Sequence, residues 1–261
     1  VYPELGGSRD EPLESEWLTV RVVAADLPRA TIRDLGYERP RFSLAKILKK
    51  LICLLLKLLG RGCRRTLDGT VDQARTETIS NAPAGSEAWN GTYSWRARFD
   101  VRVSEPNCRV DVVVRIRING TVTDAQRTAW ADAITAAWSN RFKLCCKTCC
   151  CKNGYVIHAR PEFVDSGEHQ VVNAGGSTTN MGNWGVDDTV DVNHEFGHML
   201  GALDEYFTVN GVDYGPGRQP GGNIMNNPAN DPVARHYDLV RDAVARLLGS
   251  TCRTVEVAER C

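Results

Sequence analysis

The chain has 261 residues, of which 42% are hydrophobic and 25% are charged, as is typical of a globular protein with a sizeable core. The 32 Lys and Arg residues balance the 32 Asp and Glu residues, so no overall field favours binding to nucleic acid or to acidic substrates. Ten cysteines are more than a reduced cytosolic enzyme usually carries, and they predict a secreted or extracellular protein.

The first 92 residues are uneven in pattern and are expected to form an accessory or propeptide-like region. Residues 17–25 ("WLTVRVVAA") predict a strand, and residues 76–91 are rich in Ser, Thr and Gly and predict a linker. Between them, residues 41–65 predict a basic amphipathic helix that is too short and too charged to span a membrane. Such a helix suits a membrane surface or a groove in another domain, or it packs on the protein's own core with a solvated stripe of lysines. The lysines that share one sector of this helix are Lys46, Lys49, Lys50 and Lys57.

From residue 93 onward the pattern becomes regular and predicts a single catalytic domain at 93–261. The segments "YSWRARFDVRV" and "RVDVVVRIRI" alternate apolar and polar residues, as half-buried strands do. Residues 123–142 predict a helix that begins at Thr123 or Asp124 and has an apolar face formed by Trp130, Ile134 and Trp138.

Two further strands and a last helix complete the predicted domain. The strands are "YVIHARPEFV", in which Pro161 indicates a bulge or a sheet edge, and "HQVVNAG". The helix is predicted at 231–248, with Asp231 as its cap and Pro232 at its first position. This order of elements predicts an α+β (α/β-like) fold with a mixed, twisted sheet.

The most informative segment is "VNHEFGHMLGALDEYF", residues 192–207. On a helix His194 and His198 lie on one face, four residues apart, and can bind one cation. Glu195 lies beside them and can serve as a general base for a water molecule activated by zinc. Gly201 can end the helix in a sharp turn that brings Asp204 back to the metal. The alternative is an amphipathic helix whose histidines bind no metal.

The complete pattern, H-E-x-x-H-x-x-G-x-x-D, resembles the metzincin zinc peptidases, and more closely the snapalysin-like variants whose third ligand is Asp. The resemblance implies a zinc ion held by His194, His198 and Asp204. It also implies a Met-containing turn beneath the metal, for which "GGNIMNNP" offers Met225. A tyrosine after that turn assists in several members, and Tyr237 is the candidate here, with a packed aromatic of the last helix as the alternative.

The third ligand has two rivals in the sequence. Glu205 is one, because the register beyond a helix end is uncertain by a residue, and Asp213 is a weaker one. A thermolysin-like site would need a glutamate from a later helix. The chain has no glutamate between Tyr206 and Val255, which argues against that geometry.

Half of the cysteines lie in "LCCKTCCCKNG", residues 144–154. A thiolate metal cluster is one interpretation of so dense a run, but its spacing matches no standard zinc motif. Disulfides to distant cysteines are the preferred prediction.

The sequence as a whole predicts a zinc-dependent endopeptidase that acts on protein or peptide substrates and does not bind nucleic acid. Glu195 and Tyr237 are the predicted catalytic residues, and Zn²⁺ is the predicted cofactor. The alternatives are a membrane-active toxin or effector that uses residues 41–65, and a zinc-binding module without catalysis.

Overall fold

The computed structural model describes residues 63–261 apart from 149, 177 and 211–221, and before residue 63 it describes only Leu48, Leu51 and Leu55. These three leucines are helical, and between 51% and 59% of the surface of each is exposed. The remainder of the predicted basic helix up to residue 62 and the predicted strand at 17–25 lie outside the described residues. Residues 63–65 are not helical.

The first described element is a long hairpin. Strands β1 (Thr66–Ile79) and β2 (Gly91–Ser104) pair antiparallel along all 14 positions. The sequence predicts β2 but not β1, because β1 carries many polar residues on both faces and buries only Val71 and Ile79. The predicted linker at 76–91 is therefore wrong at both ends, since residues 76–79 belong to β1 and Gly91 belongs to β2. The sheet begins before residue 93, and the division of the chain at residue 92 stays a prediction.

Six more strands follow the hairpin in the described part of the chain: β3 (Arg109–Asn119), β4 (Phe142–Cys146), β5 (Tyr155–Phe163), β6 (Gln170–Ala174), β7 (Asn183–Trp184) and β8 (Cys252–Glu256). The eight described strands form one mixed sheet in the order β1-β2-β3-β5-β4-β8, with β6 paired to β3 and β7. β3 pairs parallel with β5 and β6, and β6 pairs parallel with β7, whereas the other pairs are antiparallel. The predicted α+β class with a mixed sheet is confirmed.

The sheet curls because β2 leaves β3 partway along. β3 pairs with β2 only at positions 109–113, and at positions 116–119 it pairs with β6 instead. The far half of the β1–β2 hairpin thus diverges from β3. Pro161 lies in a part of β5 that pairs with β3 but extends beyond the two positions paired with β4, which fits the predicted sheet edge.

Three helices accompany the sheet in the described residues: α1 (Asp124–Trp138), α2 (Asp191–Met199) and α3 (Asp238–Leu248). α1 begins with the predicted Thr123 cap, whose hydroxyl accepts the N–H of Gln126 at 3.2 Å while the Gln126 side chain accepts the N–H of Thr123 at 2.8 Å. Its predicted apolar face is completely buried.

The predicted start of the last helix at residue 231 is wrong. The carbonyl of Asp231 accepts the N–H of Ile224 at 2.9 Å, and its carboxylate pairs with Arg141 at 2.8 Å. These contacts hold Asp231 in the preceding loop. A 3-10 turn at Ala234–Tyr237 follows, and α3 begins only at Asp238.

Eight described cysteines form four disulfides, which confirms the predicted disulfide bonding. Each described cysteine of the run at 145–151 pairs with a cysteine at least 43 positions away, so these thiols are not a metal cluster. Cys53 and Cys149 lie outside the described residues. No helix within the described residues is long and apolar enough to cross a membrane. The pairs are Cys63–Cys150, Cys108–Cys151, Cys145–Cys261 and Cys146–Cys252.

The disulfides make a simple prediction about thiol reactivity. Of the ten cysteines, eight are paired, so a thiol reagent should modify at most two per chain after denaturation without reductant. Reduction should then destabilise the fold, since a native disulfide contributes about 2–5 kcal/mol. Mass spectrometry of the alkylated chain provides the count, and three or more modified thiols would contradict the pairing.

Candidate metal centre

Helix α2 carries the histidine pair, and both of its ends are fixed by specific hydrogen bonds. At its start the carboxylate of Asp188 accepts the backbone N–H groups of Val190 and Asp191 at 3.0 and 2.8 Å. Groups at the N-terminus of a helix have no partner within the helix, so this contact satisfies two of them.

The helix ends in a left-handed turn at Gly201, as predicted. Gly201 has φ +94°, its N–H donates to the carbonyl of His198, and the N–H of Ala202 donates to that of Gly197, each at 2.9 Å. This pair of bonds is the Schellman motif, which reverses the chain direction. A Cβ at position 201 would also overlap Leu239, so glycine satisfies both the conformation and the space.

The reversed chain brings Asp204 against both imidazoles. Its Oδ1 atom lies 2.9 Å from Nε2 of His194 and 3.1 Å from Nε2 of His198. These distances approach the ~3.3 Å separation of ligand atoms around a tetrahedral ion with bonds of ~2.0 Å. The sequence prediction that these three side chains meet is therefore matched by their placement.

The other ring nitrogens show which form of the histidines fits this arrangement. Nδ1 of His194 donates to the carbonyl of Ile224 at 2.8 Å, and Nδ1 of His198 donates to that of Ala202 at 3.0 Å. A carbonyl only accepts, so each Nδ1 carries a proton and each Nε2 of a neutral ring is a bare acceptor. Two such nitrogens and a carboxylate oxygen repel one another unless a cation or an added proton lies between them. This donor set therefore fits a metal ion.

The electrostatics at the site also favour positive charge. Burial alone would lower the pKa of His198, but the charge of Asp204 and its hydrogen bond outweigh burial and raise that pKa to about 9. Burial opposes ionisation of Asp204 as well, yet the histidines hold its pKa well below the usual range. A proton and a metal ion thus compete for the same position.

Glu195 lies beside this triangle. His194, Glu195 and His198 offer atoms within 4.8 Å of one another, a grouping that can hold a metal ion. The nearest Glu195 oxygen is 4.0 Å from Nε2 of His198, farther than the Asp204 oxygen. Burial raises the pKa of the Glu195 carboxyl, as a proton-transfer group at neutral pH requires.

Met225 lies beneath α2, as the resemblance implied. It is fully buried, and a Cβ on Gly197 of the helix would overlap its sulfur. The preceding residue, Ile224, supplies the carbonyl that orients His194. The turn that contains Met225 therefore supports the helix by packing and the ligand by a hydrogen bond.

Glu205, the rival third ligand, points away from His194 and His198. Its carboxylate accepts from Asn223 at 2.7 Å and pairs with Arg235 and His236. Burial opposes ionisation, but the hydrogen bond from Arg235 prevails and lowers the pKa of Glu205 to about 2. Its backbone N–H also donates to Met225 at 2.7 Å. These contacts favour Asp204 as the ligand, and Asp213 lies outside the described residues.

Tyr237 lies in the core. Its hydroxyl donates to the carbonyl of Trp138 at 2.8 Å, its side chain is completely buried, and burial raises its pKa far above the usual range. These contacts are those of a packed aromatic, and the predicted catalytic role of Tyr237 stays a prediction.

The triangle opens onto a cleft of about 540 Å³, whose aromatic lining the sequence did not indicate. One side of the cleft is a group of aromatic residues, here called the aromatic wall, which comes from the end of the hairpin and from the chain after Asp204. The signal for it is the aromatic density of "EAWNGTYSW", of which the sequence assigns residues up to Gly91 to a linker and those from Tyr93 onward to a strand, with neither placed at a cleft. Met181 also lines the cleft, whereas Trp184 is buried. The aromatic wall consists of Trp89, Tyr93, Trp95 and Tyr206.

The two neighbouring acids allow a direct test of the third ligand. Asp204→Ala should weaken zinc binding by more than ~100-fold, because the loss of a ligand should exceed the 10–100-fold effect of an outer partner. Glu205→Ala should bind zinc far better than that variant but lose about 1–3 kcal/mol of stability, since buried donors lose their acceptor. Competitive chelator titration and urea unfolding measure both quantities. If Glu205→Ala loses the metal and Asp204→Ala keeps it, Asp204 is not the ligand.

Tyr237→Phe separates packing from chemistry. Removal of one buried hydrogen bond should lower the free energy of unfolding by about 1 kcal/mol. The rate of casein hydrolysis should stay within twofold of the wild-type rate if the hydroxyl serves only Trp138. A fall of 100-fold or more at unchanged zinc content would restore Tyr237 to the catalytic set.

Comparisons with protein families, with characterised proteins and with solved structures give no match to this chain. The functional interpretation therefore rests on the residues themselves. They form a His-Glu-His cluster that can hold a metal ion, beside a half-buried aspartate and at the side of an open cleft.

Proposed function

We propose that this chain is a zinc-dependent endopeptidase with a metzincin-like site formed by His194, His198 and Asp204. The observation that carries the proposal is the convergence of two imidazole Nε2 atoms and one carboxylate oxygen within 2.9 and 3.1 Å, next to a glutamate that stays outside the triangle.

The donor set supports zinc in particular. Two nitrogens and one oxygen with an open side are typical of catalytic zinc, whereas structural zinc sites are closed by four protein ligands, most often including cysteine. The described cysteines are consumed in disulfides. Zinc, when bound, acts as a Lewis acid toward a peptide carbonyl and makes water a stronger nucleophile.

Glu195 would move the proton. Its carboxylate lines the cleft, and burial raises its pKa toward the range in which a group both takes and returns a proton. An oxygen of this carboxylate accepts a proton from the attacking water as the water oxygen bonds to the carbonyl carbon. The same proton passes to the amide nitrogen as the C–N bond breaks, so the products are an amine and a carboxylic acid, and the acid then releases its remaining proton to water.

The surroundings support catalysis over a purely structural role. A structural zinc site needs neither a buried glutamate outside the ligand triangle nor an opening to a cleft of about 540 Å³. The four disulfides fit an oxidising compartment, which supports secretion as part of the proposal. The membrane-active alternative depends on residues 41–65, most of which lie outside the described residues.

Glu195→Gln is the decisive variant. It should keep zinc and the fold but cleave casein ~10²–10⁴-fold more slowly, because an amide cannot accept the proton. Glu162→Gln, an exposed glutamate on β5 that is 3.6 Å from Arg160, is the matched control and should retain the wild-type rate. Equal rates for Glu195→Gln and the wild type would remove Glu195 from the mechanism, and zinc-loaded wild type that cleaves nothing would refute the proposal.

A further inference from the structure

The inward face of the β1–β2 hairpin changes its role along its length. Near its base, Phe99 and Val101 of β2 are buried in the core. Further along the same face, Trp95 and Tyr93 line the cleft, four and six residues before Phe99. Glu77, which lies opposite Tyr93, also lines the cleft. The far half of the hairpin is therefore part of the candidate site.

A specific bond positions this half of the hairpin against the metal-binding helix. Nε1 of Trp95 donates to the carbonyl of His198 at 3.2 Å. That carbonyl also accepts the N–H of Gly201 in the turn that returns Asp204. β2 thus passes directly beside the ligands.

The backbone edge of β2 faces the cleft at Ser94. The carbonyl of Arg96 accepts a side-chain N–H of Gln170 at 2.9 Å, so it points away from β1. Backbone groups of alternate residues point the same way, which places those of Ser94 on that edge as well. The Ser94 and Thr76 hydroxyls approach to 3.2 Å, as expected for a pair without ladder hydrogen bonds.

This edge has no partner strand in the part of the chain that the structure describes. β2 pairs with β3 only at positions 100–104, and Ser94 lies beyond them. Ser94 nevertheless lines the cleft, although its side chain lies on the opposite face of the hairpin with Thr76. Its N–H and C=O are therefore the groups that it presents to a ligand.

The aromatic wall supplies an apolar surface next to this edge. Trp89 packs edge-on against Tyr206 with ring centroids 5.4 Å apart, and it lies 6.2 Å from Tyr93. Tyr93 is 40% exposed, so its ring is open to a ligand. A bulky apolar side chain gains most from such a surface, whereas a charged one loses hydration there.

We propose that an extended polypeptide segment adds to the β2 edge at Ser94 as a further strand and places a bulky apolar side chain against Trp89 and Tyr93. Backbone hydrogen bonds provide affinity in this mode of recognition, and the pocket for a side chain provides selectivity. The inference rests on the proposed function in that the bound segment is the substrate. The inference predicts peptide binding, which can be measured separately from peptide cleavage.

The edge is tested by Ser94→Pro, which removes the outward N–H and keeps the ladder to β1, because proline is tolerated where that N–H faces away from the sheet. The probe is acetyl-Ala-Ala-Leu-Ala-Ala-amide, titrated calorimetrically into the full chain carrying Glu195→Gln and loaded with zinc. Loss of the hydrogen bond should weaken binding about 10-fold. Ser94→Ala, which changes only the outer-face hydroxyl, should bind within twofold of the parent.

A second proline variant controls for the substitution itself. Ala74 lies opposite Arg96 in β1, so its N–H points away from β2 toward the outer side of the hairpin. Ala74→Pro should therefore bind the peptide like the parent. Should Ser94→Pro fail to fold, the same peptide N-methylated at the leucine and at both alanines that flank it tests the edge on the unaltered backbone. It removes the N–H that Ser94 would accept in either strand direction and should bind about 10-fold more weakly.

Selectivity is tested with the aromatic wall. The leucine peptide should bind at least 10-fold more tightly than its aspartate counterpart, and Tyr93→Ala should reduce that ratio to below threefold. Equal affinities of Ser94→Pro and Ala74→Pro for the leucine peptide would overturn the inference, and so would full binding of the N-methylated peptide by the parent. Peptide binding without casein cleavage by the zinc-loaded wild type would overturn the protease proposal alone.

Discussion

Three hydrogen-bond acceptors are held against one another in the candidate site, an arrangement that is unfavourable unless a metal ion or an added proton lies between them. Two backbone carbonyls enforce it, because they fix the protons of His194 and His198 on Nδ1 and leave both Nε2 atoms facing the Asp204 carboxylate. The free energy for this convergence comes from the surrounding fold, which includes the capped helix and the glycine turn. Strain of this kind persists only where the structure around it is over-determined.

The two consecutive acids show how the fold divides its tasks. Asp204 faces the imidazoles, while Glu205 faces the opposite way and ties its segment to Asn223, Arg235 and the Met225 turn. The contacts of Glu205 fix the segment that carries Asp204, and in this way they position the Asp204 carboxylate. In metal sites generally, residues that hold the ligands in place by hydrogen bonds affect how tightly the metal binds.

The parts of the structure that the sequence predicted are those in which local spacing decides the outcome. His194 and His198 share a helix face through a separation of four residues, and Gly201 marks a turn that few other residues can form. The sequence does not predict strand β1, because neither of its faces is apolar and its pairing depends on β2. The cysteine run predicted disulfides but no partners, because connectivity depends on the folded chain. Asp231 resembled a helix cap, yet its contact with Ile224 kept it in a loop.

The aromatic wall of the cleft could not be predicted for a related reason. It unites residues near position 90 with a tyrosine at position 206, and only the curled sheet brings them together. The β1–β2 hairpin has one continuous face that is core at Phe99 and cleft at Tyr93. The two parts share one backbone, so a substitution that repacks Phe99 would also shift the part of the strand that carries Trp95 and would alter the shape of the cleft. Sequence changes that reshape the cleft among descendants of this protein should then accumulate in pairs, with one change at the base of the hairpin and one near its tip.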